Sequence, residues 1–90
     1  MAWQTSGMFD GTRVSISPGA SPYVFQNPLA VPVIVLVSVT TAVISLIEFS
    51  RDGVTFDPVG LIAGQFRLNP GDRLRVTYTV ATPVMTYYPM

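Results

Sequence analysis

Residues 29–47 read LAVPVIVLVSVTTAVISLI, nineteen positions without a charge. They sit inside a longer charge-free region, 14–47. In a chain of 90 residues such a run has two readings, a membrane-spanning helix or buried β-structure. Length alone admits the helix, since a span needs about 20 apolar residues. Side-chain chemistry favours the sheet. Between Val31 and Ile47, eleven of seventeen residues are Val, Ile or Thr. Branching at Cβ restricts χ1 in a helix and suits a pleated surface. Ser38, Thr40 and Thr41 form a polar step where the chain can reverse, and the flanks lack the Lys/Arg cluster that orients a span. The run therefore predicts a β-hairpin, 31–39 followed by 43–50, joined through Thr40-Thr41-Ala42. A strand that is apolar throughout has both faces covered. One face is expected on the chain's own core and the other on a partner. The expected oligomer interface is the Val33/Val35/Val37 face or its even-numbered counterpart, with Ile44 and Leu46.

Outside this run the chain is punctuated at short intervals. Val14 and Ile16 alternate with Ser15 and Ser17, as in a half-buried strand. Pro18-Gly19-Ala20-Ser21-Pro22 is a loop by composition, 23–26 is a short strand, and Asn27-Pro28 ends it. Arg51-Asp52-Gly53 predicts a type I′ hairpin turn pairing 46–50 with 54–57. A further strand is expected over 61–68, bulged near Gly64. Asn69-Pro70-Gly71-Asp72 has the Pro and Gly placement of a type II turn. Over 73–80, Leu74, Val76, Tyr78 and Val80 are expected inside, with Arg73, Arg75, Thr77 and Thr79 outside. A last short strand is expected over 84–88. Seven or eight short strands with no significant helix predict an all-β fold, a small antiparallel β-sandwich of jelly-roll-like type. The expected organisation is an N-terminal arm, 1–11, and a single domain, 12–90. Trp3, Met8 and Phe9 give the arm apolar anchors.

Composition narrows function. Five Arg balance five acidic residues, for a formal charge of +0. Such a chain exerts no long-range attraction on nucleic acid or anionic lipid, so neither is an expected partner. His and Cys are both absent, which removes the usual general bases, thiol nucleophiles and transition-metal ligands. An enzyme is not expected, nor a metal or cofactor. Asp10, Asp52 and Asp72 stand at turn positions, where Asp bonds its own backbone. Glu48 is expected to be solvated or paired with an Arg. Arg67, Arg73 and Arg75 flank one turn and are expected to share an exposed face. Tyr87 and Tyr88, with Trp3, Tyr23 and Phe25, are candidates for a glycan surface, although such aromatics more often fill cores and interfaces. The start of the chain lacks the basic and apolar regions of a signal peptide, so synthesis in the cytoplasm is expected. With 49% hydrophobic residues in so short a chain, self-association is expected as well.

Three segments carry a resemblance. They are Ser50-Arg51-Asp52-Gly53-Val54-Thr55-Phe56, then Leu68-Asn69-Pro70-Gly71-Asp72-Arg73-Leu74-Arg75-Val76-Thr77-Tyr78, then Met85-Thr86-Tyr87-Tyr88-Pro89. Together with Pro22-Tyr23-Val24-Phe25-Gln26-Asn27, this pattern resembles small β-sandwich head decoration (cement) proteins of tailed bacteriophages. The resemblance covers about the last two-thirds of the chain. Its central run is more apolar and less glycine-rich than that pattern, which bears on how subunits pack. The resemblance implies a structural virion protein on the capsid exterior, commonly a homo-trimer, that bridges subunits of the major capsid protein. Trp3, Met8 and Phe9 would then be the capsid contacts. Two alternatives remain at this level: a fibre, tail or surface module that adheres to glycans, and a small single-pass membrane protein.

Overall fold

The apolar run folds as two strands that do not pair with each other. A computed structural model describes residues 13–39 and 41–90. The arm at 1–11, with Trp3, Met8 and Phe9, lies outside the described residues. The described strands are β1 (Val14–Ile16), β2 (Tyr23–Gln26), β3 (Val33–Ser38), β4 (Val43–Ser50), β5 (Asp57–Pro58), β6 (Gly64–Leu68), β7 (Arg73–Thr79) and β8 (Val84–Pro89). They form two antiparallel four-stranded sheets, ordered β1-β8-β3-β6 and β2-β7-β4-β5. Strand 1 pairs with 8, 2 with 7, 3 with 6 and 4 with 5. That nesting is one long hairpin folded over on itself, the jelly-roll arrangement.

The hairpin expected at 31–50 is thus corrected. β3 lies between β8 and β6 in one sheet, and β4 lies between β7 and β5 in the other. The chain crosses between sheets at 39–42. A flat hairpin would leave one face of both apolar strands in water. Placed in facing sheets, Val33, Val35 and Val37 of β3 pack in one core with Ile44 and Ile47 of β4. Phe25, Leu68, Leu74, Val76 and Met85 complete that core from four further strands. Burying side chains of this size is worth about 1.5–3 kcal/mol each relative to exposure.

Other turns also differ from expectation. Asp52-Gly53 does not make a two-residue type I′ turn. Such a turn needs positive φ at both residues, and here only Gly53 has it, at 78°. The chain instead makes a wide loop over 51–56, and β5 is only two residues long. Pro58 has no N–H to extend that ladder. Residues 69–72 do form the expected turn. The Asp72 amide donates to the Asn69 carbonyl at 2.9 Å, and Gly71 has φ 84°. This turn links β6 to β7 across the sandwich rather than within a sheet. In consequence Arg67 lies on one sheet while Arg73 and Arg75 lie on the other, so the three do not share a face. The strand expected from residue 61 begins at Gly64. Leu74 and Val76 point inward as expected, but Val80 is 81% exposed beyond the end of β7.

Candidate interaction surface

Of the residues expected at an oligomer interface, Val33, Val35, Val37 and Ile44 are packed inside the protomer's own core. Only Leu46 is outward, 37% exposed and opposite Thr77 on the β7–β4 sheet. The even-numbered face of β3 is the outer one. There Ile34 sits between Tyr88 and Arg67, and Leu36 between Thr86 and Gln65. Tyr87 turns inward and stacks at 5.3 Å on Phe25, which separates it from Tyr88 and divides the expected aromatic surface.

One end of the sandwich is charged and internally bonded. Glu48 stands directly across from Arg75, and Arg75 Nε donates to Glu48 Oε1 at 2.8 Å. The Arg75 guanidinium also lies over the Phe56 ring, 3.9 Å from its centroid, so the loop at 51–56 folds back on the sheet. The hydrogen bond from Arg75 holds the Glu48 carboxyl below its ordinary value, outweighing desolvation, and Glu48 in turn raises Arg75. In the same loop Asp52 Oδ1 accepts from the Thr55 and Val54 amides, both at 2.8 Å. These two bonds lower the Asp52 pKa, and Ser50 Oγ adds a weaker bond. Asp72 Oδ2 accepts from the Asn69 amide, and its Oδ1 accepts from Arg51 Nε at 3.2 Å.

Asn27 joins the two sheets at this same end. It is 3% exposed. Its Nδ2 donates to the carbonyls of Val31 (2.9 Å) and Leu68 (3.2 Å), and its Oδ1 accepts from the Leu29 amide (2.9 Å). The Asn27 amide donates to the Asp72 carbonyl. Sequence reading took Asn27 only as the terminator of a strand. Its position before Pro28 was visible, but its distant partner Leu68 was not.

The opposite end is different in kind. Its four connections, 17–22, 39–42, 59–63 and 80–83, contain no Asp, Glu, Lys or Arg. Of the ten charged residues, Asp10 is outside the described part, Arg13 lines a groove beside this end, and the other eight lie on the strands or loops toward the far end. Exposed at the uncharged end are Val39, Val43, Leu61, Ile62, Val80 and Val84. Strand register brings them together: Ser38 is opposite Val84, Val43 opposite Thr79, and Val37 opposite Gly64. Val80 has φ 78°, a region that a β-branched residue rarely enters. Alternation along β7 gave no sign of this. The Pro18–Pro22 connection is tied to the same end through Ser21 Oγ, which accepts from the Tyr78 amide at 2.8 Å, and through the Gly19 carbonyl, which accepts from Tyr78 Oη.

Beside this end an open groove of about 380 Å³ runs between β1 and β8, lined by Arg13, Ser15, Ser17, Pro83, Val84 and Thr86 among others. Among the described residues no three His, Cys, Asp or Glu side chains gather as a metal site. Among the described residues no helix is long and apolar enough to cross a membrane, and within the run 29–47 residues 33–38 and 43–47 lie in strands. No family model, curated protein or solved structure matches this chain.

Proposed function

We propose that the chain is a structural protein of a virion, a decoration or cement protein that binds the outer surface of a capsid and bridges its major capsid subunits. The supporting observation is the division of the sandwich into one charged end and one uncharged end rich in exposed Val, Leu and Ile. Exposed apolar residues gathered at one end of a domain are a candidate protein contact. Two chemically distinct ends let one small domain hold two different neighbours at once. Bridging adds interface that must be broken before shell subunits separate, and symmetric copies add avidity. Jelly-roll domains occur in viral capsids and in lectins, so the fold by itself supports this reading only by analogy.

The glycan-adhesion reading has less support, because Phe25 and Tyr87 are packed inside and only Tyr88 of the paired tyrosines faces outward. The test is to compare shells assembled with and without this chain during heating. Decorated shells are expected to survive to a higher temperature, and equal loss would refute the proposal. A Tyr88→Ala variant that retained protection would separate this role from one based on an aromatic platform.

A further inference from the structure

We infer that Asp52-Gly53 is a latent site of self-modification, an aspartyl–glycyl bond that isomerises to isoaspartate when the loop at 51–56 opens, and that Ser50 is the positioning residue that holds it closed. The inference stands apart from the decoration reading. The reaction needs only water. The Gly53 nitrogen attacks Cγ of Asp52 and a new C–N bond forms. The carboxyl hydroxyl departs with the nitrogen's proton as water, leaving a five-membered succinimide. Water then opens that ring. Breaking the bond from nitrogen to Cγ restores aspartate. Breaking the bond from nitrogen to the Asp52 backbone carbonyl carbon leaves the chain running through Cγ, which is isoaspartate. Mass and redox state do not change. Glycine in the second position favours the step, because no Cβ obstructs the approach of its nitrogen.

The fold calls for both residues of this reactive pair. Gly53 has φ 78°, and a Cβ there would lie 2.7 Å from the Arg73 guanidinium. Asp52 satisfies two amides of the loop. The bonds that require the pair also restrain it. The Gly53 amide, whose nitrogen must attack, donates to Ser50 Oγ at 2.8 Å. Asp52 Oδ1 accepts from the Val54 and Thr55 amides, both at 2.8 Å, and from Ser50 Oγ at 3.2 Å. Such bonds favour the ionised carboxylate, a poorer electrophile than the acid. They also direct it past Gly53, to the amides two and three residues on. Ser50 is 1% exposed, so its hydroxyl is confined between these two partners. The Phe56 ring against Arg75 holds the other side of the loop on the sheet. Asp52 itself is exposed, so water reaches the ring once it forms.

Peptide mapping with electron-transfer fragmentation, which separates isoaspartate from aspartate, tests this on the full chain at neutral pH. Folded parent and parent unfolded in urea are incubated side by side. Releasing two of the loop's bonds before the ring can close slows the step about tenfold or more, so isoaspartate at position 52 is expected to accumulate that much more slowly in the folded chain. Ser50→Ala is expected to speed it about threefold or more in the folded chain. Thr55→Pro removes one amide from Asp52 Oδ1 at an exposed position and should act in the same direction, which keeps the test open if Ser50→Ala misfolds. Asp10-Gly11 is the same dipeptide elsewhere in the chain. Its rate should be equal in parent and variants, which separates a local restraint from a general loosening. Equal rates at Asp52 in folded and unfolded parent would overturn the inference. So would folded variants no faster than the parent, or a rise at Asp10 that matches the rise at Asp52.

Discussion

Replacing Asn27 by Ala is expected to be among the most damaging single changes to a polar residue of the domain. The side chain satisfies three backbone groups from two segments, two carbonyls and one amide. Its contact with the Leu68 carbonyl is buried, while those with Val31 and Leu29 are partly open to water. Leaving a buried carbonyl unsatisfied costs about 1–3 kcal/mol, and each partly exposed bond contributes about 0.5–1.5 kcal/mol. The expected loss is therefore about 2–6 kcal/mol. A domain of this size has about 5–13 kcal/mol in total, so the variant sits near the edge of folding. The melting temperature should fall by at least about 8 °C. Urea titration of parent and variant, followed by far-UV circular dichroism, gives the free energies. Asn27→Asp sharpens the experiment, since it keeps the shape but turns a donor into an oxygen facing two carbonyl oxygens. It should be at least as harmful at neutral pH. A loss below about 1 kcal/mol in Asn27→Ala would refute the account of Asn27 as the link between sheets.

Four further outcomes are expected. Leu68→Ala, at a fully buried position in the centre of the core, should cost about 2–5 kcal/mol by equilibrium unfolding; a cost under 1 kcal/mol would contradict the single shared core. Gly71→Ala should cost about 1–2 kcal/mol from its φ of 84° alone, because a Cβ there meets nothing within 4 Å. Gly53→Ala should cost more, since its Cβ would approach the Arg73 guanidinium at 2.7 Å and push that side chain away; equal costs would show that the contact is irrelevant. Stability should also depend on pH in one direction. Glu48 and Asp52 have folded pKa values below their ordinary values of 4.5 and 3.8. Their contributions are fully present above those values and are lost as pH falls through the lower folded ones. Denaturation midpoints measured between about pH 6 and pH 3 should fall with acid, and Glu48→Gln should flatten part of that fall; a midpoint that rose on acidification would contradict the assignment.

Much of the fold was legible because it depends on local chemistry. β-Branched runs, period-two alternation and turn residues at 18–22 and 69–72 fix most of the strands and their approximate ends. The type II turn at 69–72 follows from Pro70 and Gly71 alone. The salt bridge between Glu48 and Arg75 was one of two readings open to Glu48, and cross-strand register chose between them.

What the sequence determined by itself is thus the all-β class, the strands, and a composition without His or Cys. Tertiary structure decided which strands share a sheet. Residues 29–47 encode two strands with apolar inner faces, and that pattern serves equally for neighbours in one sheet or for strands facing each other across a core. Only the competition for burial among the eight described strands sends β3 and β4 to opposite sheets. The same step places Arg67 away from Arg73, brings Asn27 to Leu68, and gathers Val39, Val43, Leu61, Ile62, Val80 and Val84 at one end. Those residues are spread over more than forty positions of chain, and no local rule relates them. Their proximity follows from how an eight-stranded hairpin rolls up, which is a property of the whole chain.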